Sequence, residues 1–285
     1  MKKIIYDEYL SFCKSHNYVQ IADVKLPLCK INNNITDITD FSLETTSVWS
    51  FPERGKWATH PYNAKYRGNW APQVARNLIL RYSSEGDVVL DPFVGSGTTL
   101  IECKLTGRNG IGVDINRDAA MVTMDRLQFN GDDSVGKCVQ EVYEGDARAL
   151  DAISSDSIDF IATHPPYANI IRYNKNANIY GSGDLSSLGK IEEFYKEMSK
   201  VAVELYRVLK KGRYCALLMG DIRQNKHQIP LSFNILDIFI KKGFILRESV
   251  IKIQYNTSTE GMWNRLSEKY NFLLLAHEHL FVFKK

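Results

Sequence analysis

Apolar and polar positions follow two different rhythms along this chain. Val88-Val89-Leu90 is a short continuous apolar run that stops at Asp91-Pro92, and a helical pattern follows from about Thr98 to Leu105. Short apolar runs bounded by turn residues mark strands buried on both faces. The alternation continues, predicting strands at 88–91, 110–114, 139–144, 158–162, 213–219, 244–254 and 272–283. Helices are predicted between them at 98–106, 117–130, 191–209 and 230–242. The helix over 191–209 is the clearest, because Ile191, Phe194, Met198, Val201, Leu205 and Val208 form one stripe at helical spacing. Lys210-Lys211-Gly212 closes it, with cations at the negative helix end and glycine as the cap. Another helix is predicted from Pro72 to Tyr82, where proline at the start costs no hydrogen bond. Strands alternating with helices predict a mostly parallel sheet covered by helices on both faces. Phe272–Ala276 and Leu280–Phe283 are apolar without helical period and predict a terminal antiparallel hairpin.

Residues 1–55 read differently. Ile4, Ile5, Tyr9, Leu10 and Cys13 suggest a short amphipathic helix, and Asn32-Asn33-Asn34 with Thr36–Asp40 look like turns with short strands. The chain therefore divides into an N-terminal appendage, 1–55, and a main domain, 56–285.

Composition narrows the class. At 285 residues, 44% hydrophobic and 24% charged, the chain reads as an ordinary soluble globular protein. No apolar run approaches the roughly 18 residues of a membrane span. Asp7 and Glu8 interrupt the basic start too early for a signal peptide. The five cysteines are scattered with no CxxC pair, so neither a zinc site nor a disulfide framework is expected, and a reducing cytoplasm fits. A net charge of +3 permits nucleic-acid binding without arguing for it.

The chemistry concentrates in two stretches. Asp91-Pro92-Phe93-Val94-Gly95-Ser96-Gly97-Thr98-Thr99 is a strand end, a Gly-rich turn and a helix start. That geometry binds nucleotide-like ligands at the edge of a parallel sheet, and Ile111-Gly112-Val113-Asp114 places an acid about 20 residues on, suited to ribose hydroxyls. The second stretch is Asp159-Phe160-Ile161-Ala162-Thr163-His164-Pro165-Pro166-Tyr167. Its prolines fix φ and lack N–H donors, which makes a rigid shelf at the carboxyl end of a strand. The shelf offers the Pro165 carbonyl as an acceptor and Tyr167 as a flat apolar face.

Together these stretches resemble the amino-methylating DNA methyltransferases, which use S-adenosylmethionine to methylate adenine N6 or cytosine N4. The resemblance covers about residues 56–285. It implies an α/β class I methyltransferase fold, Rossmann-like, with a mostly parallel seven-stranded sheet, helices on both faces and a C-terminal antiparallel hairpin. It implies S-adenosylmethionine as cofactor, held by Asp91, Pro92, Phe93, Gly95, Ser96, Gly97, Thr98 and Thr99. Asp114 matches the acid that binds ribose, and Asp146 in Gly145-Asp146-Ala147 the acid on the adenine amino group. The segment with His60 and Lys65 is similar to the family's methionine-side motif. His164, Pro165, Pro166 and Tyr167 look like the catalytic (Asp/Asn/Ser)-Pro-Pro-(Tyr/Phe) motif. The implied reaction flips a base out of the duplex, stacks it on Tyr167 and gives its amino hydrogens two acceptors, the Pro165 carbonyl and the His164 side chain.

His164 departs from the family pattern. An imidazole accepts a hydrogen bond only when neutral, so activity is expected to fall below about pH 6.5. Three readings of His164 stand: acceptor, loop support, or a dead site. The flank Thr163-x-Pro-Pro-Tyr leans toward cytosine N4 over adenine N6. The cofactor loop precedes the Pro-Pro-Tyr motif, so the order is unpermuted. Candidate target-reading segments are residues 1–55, 168–190 and 255–269, with Arg172, Tyr173, Lys175, Arg223 and Lys226 as nucleic-acid contacts. The implied partner is double-stranded DNA, with a cognate restriction endonuclease if the chain serves restriction–modification. Two alternatives stay open: an RNA guanine-N2 methyltransferase, and a non-catalytic nucleic-acid-binding subunit that keeps the fold.

Overall fold

A computed structural model of the chain describes residues 1–28, 38, 41–130, 137–167, 184, 185, 188, 190–255 and 260–285. In chain order, strand β1 (Lys2–Lys3) leads to helix α1 (Tyr6–Ser15), then β2 (Tyr18–Ile21), β3 (Val24–Pro27) and β4 (Val48–Trp49). A 3₁₀ turn at His60–Asn63 precedes α2 (Pro72–Tyr82). The alternating region follows: β5 (Val88–Asp91), α3 (Thr98–Leu105), β6 (Asn109–Asp114), α4 (Arg117–Arg126), β7 (Gln140–Glu144) and β8 (Ile158–Thr163). After it come α5 (Ile191–Val208), β9 (Leu209–Met219), the hairpin β10 (Ile222–Gln224) and β11 (His227–Ile229), and α6 (Leu231–Lys241). The chain then runs through β12 (Ile245–Ile253), α7 (Glu260–Tyr270) and β13 (His277–Lys284).

The central sheet has the order β1-β7-β6-β5-β8-β9-β13-β12-β4. Strands β7, β6, β5, β8 and β9 are parallel, and β13 runs antiparallel to both β9 and β12. The expected α/β class and the terminal antiparallel pair are present. The sheet, however, is mixed and has nine strands among the described residues, where seven were expected. The additional strands, β1 beside β7 and β4 beside β12, come from the first 55 residues. Each is two residues long, too short to carry a readable alternation. The hairpin also pairs differently from expectation. Its strands are β12 and β13, while 272–276 is irregular and Leu273 is 84% exposed.

Packing explains the layers. Five of the six residues of the α5 stripe are fully buried: Phe194, Met198, Val201, Leu205 and Val208 share one core cluster with Phe239 of α6 and Phe283 of β13, and Ile191 packs partly buried against it. Each such side chain contributes about 1.5–3 kcal/mol on burial. The opposite face of the sheet is covered by α2, whose Val74, Ala75, Leu78 and Ile79 pack with Val89, Phe160 and Leu218. Helix α1 lies on this assembly too, with Tyr9 packed beside Met121 and Met124 of α4. Its hydroxyl donates to Asp125 at 2.8 Å.

Strand order reverses between β5 and β8: the chain builds outward from β5 to β6 and β7, then returns to the other side. At such a switch point the connections diverge and leave a crevice beyond the carboxyl ends of the strands. Asp91 and Thr163 sit at those two ends, and the Thr163 hydroxyl donates to Asp91 at 3.0 Å.

Candidate active site at the β5–β8 crevice

A crevice with about 850 Å³ of free space, part of it open solvent, lies at this reversal. One wall is the Gly-rich loop. Gly95 and Gly97 have φ of 54° and 85°, the left-handed region that side chains resist. A Cβ on Gly97 would come within 3.0 Å of Thr123. The loop is anchored from behind: Val94 N–H donates to the Val113 carbonyl at 3.0 Å, and the Thr123 hydroxyl to the Gly95 carbonyl at 2.9 Å. Asp114 closes the arrangement, accepting from Gly95 N–H at 2.9 Å and Asn116 N–H at 2.8 Å. Removal from water pushes its carboxyl up to about 7, against the pull of those two N–H groups. Asp91 is pushed up to about 6 by burial, opposed by the Thr99 hydroxyl, Phe93 N–H and the Thr163 hydroxyl. At the end of β7, Asp146 accepts from Arg148 Nε at 2.9 Å, and Arg148 is in turn held by Glu197 at 2.6 Å.

The other wall comes from the chain after β8. His164 and Pro166 line the crevice. His164 Nε2 lies 2.8 Å from the Tyr167 hydroxyl, which donates to Glu278 Oε1 at 2.5 Å. Lys252 donates to the other oxygen of Glu278 at 2.8 Å. Burial pushes the His164 imidazole down to about 4; the nearby Glu278 carboxylate opposes this and Lys252 reinforces it. Trp70 stacks over the His164 ring, with centroids 6.1 Å apart and planes 27° from parallel. The Tyr167 ring lies against Gly220, where a Cβ would approach to 2.9 Å.

A family model described as DNA methylase matches residues 4–125 and 158–285. The chain belongs to the DNA methylase family. The chain is 53% identical over 60 residues to Type II methyltransferase M.HpaI of Haemophilus parainfluenzae, covering 20% of this chain and 19% of that one. It is 37% identical over 111 residues to a tRNA (guanine(10)-N2)-dimethyltransferase of Methanocaldococcus jannaschii, covering 38% and 32%. These matches span less than a third of either relative's own length. Among solved structures, a SAM-dependent methyltransferase from Methanosarcina mazei shares the fold at a TM-score of 0.50 and 18% identity, covering 73% of this chain and 96% of that one.

In this DNA methylase, the residues expected from sequence fall in several places. Asp91, Pro92, Phe93, Gly95, Ser96, Thr98, Asp114 and Asp146 line the crevice with His164 and Pro166. Gly97 and Thr99 stand behind the loop, one as its hinge and the other as a donor to Asp91. His60 is turned away from the crevice: it is fully buried, with Nε2 2.6 Å from Glu102 Oε1, which also takes the Trp57 N–H at 2.7 Å. Lys65 is exposed and outside the lining. That segment reaches the crevice instead through Tyr66, Gly68, Asn69 and Trp70, and Asn63 supports the loop by donating to the Ser96 carbonyl at 2.8 Å. Arg172, Tyr173 and Lys175 lie outside the described residues. Arg223 donates to the Leu273 carbonyl at 2.9 Å, and Lys226 is exposed at the β10–β11 turn. Asp184, Leu185 and Glu278 carried no sequence signal. Glu278 belongs to the site only because cross-strand register brings it there.

The crevice fits an S-adenosylmethionine-sized group on an observation of its own. Ser96 Oγ, Thr98 Oγ1 and His164 Nδ1 are buried polar atoms without a hydrogen-bond partner among the described residues, and all three residues line the crevice. Buried polar atoms are ordinarily paired, so a ligand with complementary groups is the natural partner.

Proposed function

We propose that the chain transfers a methyl group from S-adenosylmethionine to an exocyclic amino group of a DNA base brought into the crevice. The observation that carries this reading is the convergence of the Gly-rich loop and the His164–Tyr167 shelf at adjacent ends of β5 and β8. Bound S-adenosylmethionine supplies an electrophilic methyl group on a sulfonium. Ser96 and Thr98, at the start of α3, are the donors for its carboxylate end, Asp114 the acceptor for its ribose hydroxyls, and Asp146 the acid for its adenine side. An exocyclic amino group is a weak nucleophile because its lone pair is shared with the ring. Hydrogen bonds from that group to the Pro165 carbonyl and to neutral His164 localise the lone pair and aim it. Cytosine N4 is favoured slightly over adenine N6. Arg223 and Lys226, together with Arg172, Tyr173 and Lys175, are proposed contacts to the nucleic acid, and a cognate restriction endonuclease is the proposed companion activity.

The likeness to the tRNA guanine-N2 enzyme supports a second reading, in which the amino group belongs to guanine in RNA. Methylation-aware sequencing of DNA from cells expressing the chain separates the two. The expected result is N4-methylcytosine or N6-methyladenine at one recurring sequence. Unmodified DNA, with radiolabel transferred to RNA instead, would overturn the first reading.

A further inference from the structure

Resting on the methyl-transfer reading, we propose that Glu278, acting through Tyr167, fixes which nitrogen of His164 carries the proton and so keeps Nδ1 as the acceptor for the substrate amino group. Glu278 on β13 and Lys252 on β12 are cross-strand partners in the sheet. Their ion pair measures 2.8 Å, and the Lys252 and Glu278 side chains are only 15% and 6% exposed. A carboxylate paired with an ammonium is ionised and can only accept. Burial alone raises the Glu278 carboxyl, but the Lys252 ammonium, with the hydrogen bonds from Lys252 and Tyr167, works against it and the group lies below its ordinary range.

The protons along this line of contacts then have one consistent arrangement. Tyr167 gives its hydroxyl proton to Glu278. The Tyr167 oxygen, 2.8 Å from His164 Nε2, must therefore accept there, and Nε2 carries the hydrogen. A neutral imidazole has a single N–H, so Nδ1 keeps a bare lone pair. The opposite tautomer would set the Tyr167 oxygen against an ionised carboxylate with no proton between them. Nδ1 is the ring atom that is buried and unpartnered among the described residues. A hydrogen bond with the Gly68 backbone favours an N–H on the ring and works against a bare nitrogen there, but the Tyr167–Glu278 pair decides the tautomer because its contacts are short and buried. Trp70 and Tyr167 hold the ring plane. Gly220 leaves the space that lets the Tyr167 hydroxyl reach Glu278. Glu278 is thus a positioning residue: it acts on the substrate through His164.

The test is a long-range ¹H–¹⁵N spectrum of the full chain labelled with [¹⁵N]histidine, with His164 assigned by its loss in His164→Asn. The wild type should show Nε2 protonated and Nδ1 bare. In Glu278→Gln the Lys252 ammonium draws the amide oxygen to itself. The amide N–H then faces Tyr167, the Tyr167 proton turns to Nε2, and the tautomer inverts. The kcat for methyl transfer should fall about 10-fold or more, as when a catalytic histidine is held in the wrong tautomer, with KM for nucleic acid unchanged. Tyr167→Phe uncouples the ring and should give a mixture of tautomers; it carries the test if Glu278→Gln does not fold. A wild type protonated at Nδ1, or a tautomer unmoved in both variants, overturns the proposal. A chain that shows the assigned tautomers but methylates neither DNA nor RNA refutes the proposed function and leaves the Glu278 assignment standing.

Discussion

His164 shows how far surroundings move a residue from its value in water. An exposed imidazole titrates near pH 6.5. Burial brings this one to about 4, with Glu278 raising it, Lys252 lowering it, and the Tyr167 hydroxyl in contact. On the proposed function the acceptor therefore survives mild acid, and the loss expected from sequence near pH 6.5 moves to about 4. Because the folded value lies below the unfolded one, the unfolded chain binds the extra proton between the two. Stability from this group is complete above about pH 6.5 and is lost as pH falls toward 4. Single-turnover rates should be flat from pH 5 to 7 with respect to His164, while His164→Ala should lower kcat about 100-fold. An acid limb centred at 6.5 that vanishes in His164→Asn would contradict the burial argument. Asp114 behaves in the opposite sense. Its folded value, about 7, lies above the ordinary carboxyl value of 3.8, so its contribution to stability is present at low pH and lost as pH rises through about 7. On the proposed function, ribose hydroxyls donate more strongly to the ionised form, whose two oxygens both accept with full charge assistance. The melting-temperature increase caused by S-adenosylmethionine should accordingly grow from pH 6 to 8, and Asp114→Asn should remove most of that growth.

Among the elements, β5, its loop and α3 form the unit on which the rest depends. Gly97→Ala places a Cβ at a φ of 85° and within 3.0 Å of Thr123. The left-handed conformation alone costs roughly 1–2 kcal/mol, so the melting temperature should drop by several degrees. Affinity for S-adenosylmethionine should weaken more than in Gly212→Ala, a control with φ of 79° and open space around it. Equal losses of affinity in both variants would mean that the loop's shape does not govern binding. This unit was legible in the sequence because its signals are local: an apolar run, two glycines, and an acid one strand later. Helix α5 was legible for the same reason, since six apolar residues on one stripe leave few alternatives. Other features depend on contacts between distant segments. Lys2–Lys3 and Val48–Trp49 become strands only because β7 and β12 offer open edges. Glu278 reads as one charge in an apolar stretch until register sets it beside Lys252 and beneath Tyr167. His60 was matched by local likeness. Its 3₁₀ turn points it at Glu102, so the segment reaches the crevice through the residues that follow it.

The whole molecule carries a net charge of only +3, so the nucleic-acid binding that the proposed function requires must come from where cations are placed. Strand β9 runs parallel to β8 and ends on the same side of the sheet as His164, and Gly220 just beyond it touches Tyr167. The β10–β11 hairpin follows directly from that end of β9, with Lys226 exposed at its turn. Arg223 also braces this hairpin. Its guanidinium lies 5.2 Å from the Phe272 ring centre and donates to the Leu273 carbonyl, tying the hairpin to the segment before β13. A lysine that neutralises one phosphate releases about one counterion on binding. Lys226→Ala should weaken binding equally for all sequences and flatten the slope of log K against log salt by about 0.9, with kcat unchanged. Arg223→Ala should flatten the slope as well, and also lower stability, because the Phe272 and Leu273 contacts go with it. Fluorescence anisotropy with a labelled duplex across a salt series reads both changes in slope, and a thermal melt reads the loss of stability. A salt slope identical in wild type and Lys226→Ala would remove the hairpin from the nucleic-acid path.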